Sequence, residues 1–151
     1  MPAIAADTAA RETQHSAADP QIARHLDSLE YKYEVDDDGD YKLTFNMDDD
    51  RSQLAYVLSA TEKFGNLNIR EIWSPAYRAS AAQFPVDVAN RLLEDSQTSK
   101  LGGWVKQGNM AVFVVKIAAD AGAKELDDAL DFVLRSADQM EAALTQGKDE
   151  F

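Results

Sequence analysis

Apolar and polar positions alternate strictly along two stretches in the first third of the chain, residues 31–35 and 41–47. This alternation is typical of β-strands that bury one face. The residues between them, 36–40, read DDDGD, and an Asp-Gly pair favours a tight turn. The pattern therefore predicts a β-hairpin with an acidic turn.

Two further strands are predicted after this hairpin. Residues 53–60 are apolar on both faces, which is expected of a central strand. Residues 67–73 form the next strand, and Ser74 and Pro75 follow it. Because proline has no N–H to donate to a neighbouring strand, we expect strand pairing to end there.

A second hairpin is predicted from residues 104–107 and 110–117. The two strands are joined by Gly108 and Asn109, which favour a tight turn. Residues 110–117 are apolar on both faces, so this strand is expected inside the sheet.

Three helices are predicted from apolar positions that recur at spacings of three and four residues. The first begins at Asp19-Pro20, where Asp can cap the helix and Pro suits its first position. The second begins at Pro85 and ends before Gly102-Gly103. The three apolar faces consist of Ile22, Leu26 and Leu29; of Val88, Ala89, Leu92 and Leu93; and of Leu126, Leu130, Val133, Ala137, Met140 and Leu144.

The predicted elements follow one another in the order α-ββββ-α-ββ-α with short connections. This order predicts the α+β class, with an antiparallel sheet whose helices cover one face. Residues 1–18 contain few large aliphatic side chains, so burial cannot offset the entropy cost of ordering them. We therefore expect one domain over residues 19–146, between a disordered tail at 1–18 and a frayed end at 147–151.

Composition narrows the functional classes. The 151 residues include 27 acidic and 15 basic side chains, for a net charge of −12. This charge disfavours direct binding to nucleic acid. No run approaches the length of about 18 apolar residues that a membrane span needs, and no secretory signal pattern is present. The absence of cysteine fits a reducing compartment, so we expect a cytoplasmic protein. From the charge and the lack of a long apolar run, we expect no direct contact with nucleic acid or membrane.

Two acidic turns, residues 36–40 and 48–50, are candidate cation sites. Aligned as a calcium-binding loop, the first turn places Glu34, Asp36 and Asp38 at ligand positions, but Phe45 stands where the bidentate acid should be. The two turns are separated by a strand and should lie roughly 20 Å apart. Solvated acidic turns are therefore the favoured interpretation, and a ligand- or cation-responsive sensor is the alternative.

Enzymatic chemistry is not predicted. The chain has no cysteine, and its only histidines are His15 and His25, so neither a zinc site nor a catalytic triad is expected. The sequence also lacks a nucleophile elbow, a Walker lysine motif and a dinucleotide-binding glycine motif. We therefore expect no catalytic residues, no metal and no cofactor.

Three aromatic residues are candidate anchors for a protein partner: Trp73, Tyr77 and Trp104. Trp and Tyr are favoured both at interfaces and in ordinary packing, so packing within the fold is the alternative interpretation. The edges of the predicted sheet could also pair with a partner peptide or with a second copy of the chain.

The chain resembles the YbjN family of small bacterial proteins from about residue 20 to residue 143. The resemblance rests on short motifs in a shared order: YEVDDDGDY at 33–41, RSQL at 51–54, IWSPAY at 72–77, LEDS at 93–96, KLGGW at 100–104 and AVF at 111–113.

This resemblance implies a regulatory role of the sensory-transduction type and a fold similar to class I type III secretion chaperones. Those chaperones are small acidic homodimers that hold extended segments of other proteins and use no ATP. The present chain differs from them by an extra hairpin. The resemblance thus implies a non-enzymatic, chaperone-like adaptor or regulator, a homodimer that binds a protein with a basic or extended segment.

Overall fold

The computed structural model describes residues 17–151, so nearly all of the predicted tail at 1–18 lies outside the described residues. The described part forms three helices and one six-stranded antiparallel sheet, with strand order β1-β2-β3-β4-β6-β5. The elements are α1 (Pro20–Ser28), β1 (Glu34–Val35), β2 (Tyr41–Asn46), β3 (Ser52–Phe64), β4 (Leu67–Arg78), α2 (Val86–Thr98), β5 (Gly103–Gln107), β6 (Met110–Ala118) and α3 (Ala123–Leu144). This confirms the predicted α+β class and the order α-ββββ-α-ββ-α.

Helix α3 covers the middle of the sheet. It contacts β3, β4 and β6, and α1 packs beside it. The core between them is closed by fully buried side chains such as Leu26 of α1, Ile72 of β4, Phe113 of β6 and Val133 of α3. The predicted apolar face of α3 is therefore the face that packs on the sheet.

Helix α1 begins as predicted. Asp19 is its N-cap, and the Asp19 carboxylate accepts a hydrogen bond from the backbone N–H of Gln21 at 2.9 Å. The same carboxylate accepts a bond from the Arg70 guanidinium of β4 at 2.6 Å. Burial alone would raise the pKa of Asp19, but these bonds and the charge of Arg70 hold the pKa below its usual value.

Strand β4 does not end at Pro75, which corrects the sequence prediction. Pro75 lies opposite Val112 of β6, and the pairing continues to Arg78 after a register shift. On the other side, the paired positions of β3 and β4 stop at Tyr56 and Trp73. Beyond that point the buried side chain of Gln53 replaces the backbone ladder.

Gln53 makes two bonds at this position. Its Nε2 donates to Ser74 Oγ at 3.0 Å and to the Pro75 carbonyl at 2.6 Å, and Ser74 Oγ donates to the Leu54 carbonyl at 2.5 Å. Proline therefore interrupts the pairing of β4 with β3 but does not end the strand, because β4 stays paired with β6 and the Gln53 and Ser74 side chains bridge to β3.

Two other elements differ from the prediction in detail. Strand β1 contains two residues instead of five, and Tyr31 packs edge-on against Phe45 at 5.1 Å between ring centroids. The Tyr31 hydroxyl donates to Asp127 of α3, which raises the pKa of Tyr31 to about 12. In α2, Leu92 is buried but Leu93 is 67% exposed, so the buried face of this helix is narrower than predicted.

Candidate functional site

The face of the sheet opposite the helices is also apolar. Strands β3 and β6 are apolar on both faces, while the helices cover only one. Their second set of apolar side chains therefore remains on the helix-free face. The half-buried or buried side chains on this face include Leu54, Tyr56, Leu58, Trp73, Pro75, Met110 and Val112.

These side chains line an open groove of about 430 Å³. Its two ends carry different charges. Asp36, Asp38 and Asp40, from the turn between β1 and β2, lie at one end, and Arg78 lies at the other with Glu150. Trp73 and Arg78 are five residues apart along β4, so the floor of the groove spans roughly 15 Å.

The acidic end is held in shape by its own hydrogen bonds. Asp36 Oδ1 accepts from the backbone N–H of Asp38 at 3.0 Å and of Asp40 at 2.9 Å, and Asp40 Oδ1 accepts from the N–H of Ser59 at 2.8 Å. Burial, together with the charges of Asp36 and Asp38, raises the pKa of Asp40 above its usual value. The turn thus presents a fixed cluster of negative charge beside Leu58.

The opposite end is filled by the chain itself. Phe151, the last residue of the sequence, is only 7% exposed and lines the groove with Trp73 and Met110. The Arg78 guanidinium lies 5.6 Å from the centroid of the Phe151 ring, and its Nε donates to Glu150 Oε1 at 2.7 Å. Residues 147–151, for which a frayed end is expected from the sequence, join no helix or strand, and their last residue packs in the groove.

Two charged residues hold the 147–151 segment in place. Arg51 Nη1 donates to the carbonyls of Gly147 at 3.0 Å and Lys148 at 2.8 Å. Glu141 Oε2 accepts from the backbone N–H of Glu150 at 3.2 Å and of Phe151 at 3.3 Å. Glu141 is contributed by the last turn of α3, and Arg51 by the chain just before β3, about 96 residues away in the sequence.

Arg51 and Glu141 also bind each other. Burial would lower the pKa of Arg51, but the hydrogen bond and charge of Asp138, followed by the charge of Glu141, raise it. Burial raises the pKa of Glu141, and the two N–H donors and Arg51 only partly oppose this. Both side chains therefore depend on each other for charge compensation.

One group of three carboxylates among residues 17–151 comes close enough together to hold a cation: Asp138, Glu141 and Asp149. Arg51 already binds Asp138 at 2.7 Å and Glu141 at 2.9 Å. This group is an ion-pair network. The two predicted acidic turns are not part of it, and they line separate cavities, one containing Asp36 and the other Asp48.

The three predicted aromatic anchors do not come together. Trp73 lines the groove, with its Nε1 donating to Glu71 at 2.8 Å. Trp104 packs edge-on against Phe113 at 5.1 Å between ring centroids, on the helix-covered face.

Tyr77 also packs on the helix-covered face. It meets Phe84 at 5.8 Å between ring centroids, in a cluster beneath α2. The structure thus gives Tyr77 and Trp104 packing partners within the fold and leaves Trp73 at the helix-free face.

Sequence reasoning did not identify the groove, Arg78 or Phe151. One signal for the groove was present: two strands were apolar on both faces, and the predicted helices covered one face only. The surplus of apolar positions implies an uncovered apolar surface. No comparable signal points to Phe151, because its neighbours in the sequence are polar.

The chain is thus a small α+β protein with one antiparallel sheet, helices on one face and an apolar groove on the other. A solved structure of similar fold is YbjN from E. coli, a proposed transcription regulator. The TM-score is 0.51 with 12% sequence identity, and the similarity covers 83% of this chain and 90% of that chain. The predicted resemblance to YbjN is confirmed at the level of the fold. No protein-family model and no curated protein matches the chain.

Between residues 17 and 151, no helix is both long enough and apolar enough to cross a membrane.

Proposed function

We propose that this protein is a non-enzymatic adaptor or regulator that binds an extended segment of another protein in the groove on its helix-free face. The observation that carries the proposal is the apolar groove itself, in which an aromatic ring of the chain is already seated. An uncovered apolar surface of this kind on a small protein marks an interaction site.

The groove offers suitable anchors for a partner. Tyr56 and Trp73 are half-buried, so a bound segment would remove the rest of their surface from water. Large aromatic residues at the centre of an interface supply most of its binding energy. The acidic turn at residues 36–40 favours basic residues where the partner segment passes Leu58.

We also propose a homodimer, as the resemblance to acidic dimeric chaperones implies. A second apolar patch supports it: Leu93, Leu101 and Val105 are exposed beside the edge strand β5. Val105 pairs with Val112, which lines the groove, so the patch adjoins the groove at the edge of the sheet. The lack of cysteine supports a location in the reducing cytoplasm.

The alternative prediction was a sensor that binds a ligand or cation at the acidic turns 36–40 and 48–50. It has less support, because the two turns line different cavities and cannot act as one site. A calcium titration by calorimetry at millimolar concentration tests it directly, and heat of saturable binding would favour the sensor over the adaptor.

The adaptor function can be tested by site-specific cross-linking in cells. A photoreactive residue placed at Tyr56 in the groove should capture a protein that the same residue at Val86, which is 77% exposed at the start of α2, does not. Mass spectrometry identifies the captured protein, and calorimetry with the purified pair measures its affinity.

Matched variants then locate the interface. Leu58→Glu places a charge on the floor of the groove and should weaken binding at least about tenfold. Val86→Glu should leave the affinity unchanged. Equal effects of the two variants would contradict binding in the groove.

A further inference from the structure

The 147–151 segment shows which chemistry the groove accepts. Its last two residues use two adjacent subsites. The Phe151 ring lies in the apolar part of the groove, and the Glu150 carboxylate pairs with Arg78 at the rim. Arg78 also lies over the ring, so one guanidinium contacts both residues.

A sharp reversal of the chain joins the 147–151 segment to the end of α3. Gln146 and Gly147 both have left-handed backbone conformations, with φ of 56° and 85°, and they turn the chain back after α3. Beyond this reversal the segment joins no helix or strand. Hydrogen bonds, the ion pairs of Glu150 with Arg78 and of Asp149 with Arg51, and one aromatic ring hold it. It can therefore leave the groove without unfolding any helix or strand.

Release of the segment would expose more of the groove at its Arg78 end. Phe151 lines the groove together with Trp73, Met110 and Val112, and the space that its ring occupies would become part of the groove. An aromatic ring of a partner segment therefore cannot take this position while Phe151 remains in place. The groove continues past Phe151 toward the acidic turn at residues 36–40.

We propose that residues 147–151 act as an internal competitor for the groove, and that the partner segment carries an acidic residue directly followed by an aromatic residue. The inference rests on the proposed function and specifies its partner. The acidic residue of the partner replaces Glu150 at Arg78, and its aromatic ring replaces Phe151. Residues that follow the ring in the partner extend toward the acidic turn.

Fluorescence anisotropy with labelled peptides tests this inference on the full chain and on Phe151→Ala. The probe is the heptapeptide TQGKDEF, which has the sequence of residues 145–151. Its controls are TQGKDES, which lacks the ring, and TQGKDKF, which reverses the charge. Phe151→Ala should bind TQGKDEF saturably, and the unmodified chain should bind it at least about tenfold more weakly, because its own Phe151 ring occupies the aromatic subsite.

Charge reversal tests the Arg78 subsite. In the Phe151→Ala background, Arg78→Glu should exchange the preference, so that TQGKDKF binds more tightly than TQGKDEF. TQGKDES should bind neither Phe151→Ala nor the double variant that also carries Arg78→Glu. Equal binding of TQGKDES and TQGKDEF, or equal affinities of the unmodified chain and Phe151→Ala, would overturn the inference.

Two further measurements keep the test decisive. If Phe151→Ala does not fold by circular dichroism, Glu150→Lys replaces it, since this change sets like charges beside Arg78 at an exposed position. Light scattering shows whether a second copy fills the groove. A dimer that dissociates on Phe151→Ala but persists in Val86→Glu would assign the groove to that copy and overturn the inference.

The inference and the proposed function fail separately. A cross-linked partner that depends on Leu58, together with no binding of TQGKDEF to Phe151→Ala, would leave the adaptor function standing and remove the acidic-aromatic partner. Binding of TQGKDEF to Phe151→Ala without any Leu58-dependent protein partner would support the acidic-aromatic chemistry of the groove and remove the adaptor function.

Discussion

Arg51 and Glu141 form a buried ion pair that joins the chain before β3 to the last turn of α3. Arg51 Nη2 lies 2.9 Å from Glu141 Oε1, and the two side chains are only 10% and 1% exposed. The other carboxylate oxygen of Glu141 accepts the N–H groups of Glu150 and Phe151. One ion pair therefore holds both α3 and the 147–151 segment against the sheet.

Removing one partner of this pair should be costly. Arg51→Met leaves Glu141 buried without its positive charge, and we expect the free energy of unfolding to fall by about 3 kcal/mol. Urea denaturation measures the loss. Arg135→Met is the control, because Arg135 pairs with Asp131 on the exposed face of α3 and should leave the urea midpoint unchanged. Similar losses in the two variants would contradict a special role for the buried pair.

The ion pair between Asp19 and Arg70 should make stability depend on pH. The pKa of Asp19 is lowered in the folded chain, so the folded state favours the ionised form. The stability from this charge is fully present above the ordinary pKa of 3.8 and is lost as the pH falls through the lower, folded value.

Asp19→Asn keeps a helix-capping side chain and removes the charge. At pH 7 it should cost about 1 kcal/mol or less, because the carboxylate is 27% exposed and partly screened. Urea midpoints measured at several pH values should show the gap between the two proteins closing as the pH falls below 3.8. A gap that stays constant to about pH 2 would show that the charge of Asp19 does not stabilise the fold.

The two tryptophans should respond differently to substitution. Trp104 packs on Phe113, and its Nε1 donates to Asp95 of α2 at 2.7 Å. Trp104→Ala therefore removes core packing and should cost about 3 kcal/mol in thermal or urea unfolding. Trp73→Ala should cost less stability and should weaken partner binding instead. A larger stability loss for Trp73→Ala than for Trp104→Ala would contradict the assignment of Trp104 to core packing and of Trp73 to partner binding.

Gly102 should tolerate no side chain. Its φ is +85°, and a Cβ there would lie 2.3 Å from the Val114 carbonyl oxygen. Gly102→Ala should destabilise the fold by about 3 kcal/mol, through backbone strain and displacement of β6. Gly65 also has a positive φ, of +57°, but a Cβ there would meet no atom within 4 Å. Gly65→Ala should therefore cost only about 1 kcal/mol, and equal losses would show that the contact with Val114 is relieved easily.

Local pattern was sufficient to predict most of the elements. Alternation over residues 41–47 predicts β2, because a strand that buries one face must alternate. The spacing from Leu126 to Met140 predicts α3 for the equivalent reason at the period of a helix. Each of these patterns involves only residues of a single segment. The α+β class and the order of its elements therefore follow from the sequence alone.

Tertiary structure decided the features that depend on residues far apart in the chain. Pro75 remains in β4 because Gln53 reaches across from β3, and Phe151 is buried because Arg78 and Glu141 meet its segment in space. No periodic pattern encodes such pairings, since each partner is polar and looks solvent-exposed in its own segment. The sequence therefore determined which face of each element is apolar, and the packed fold alone determined that the helix-free face forms a groove with Phe151 at one end.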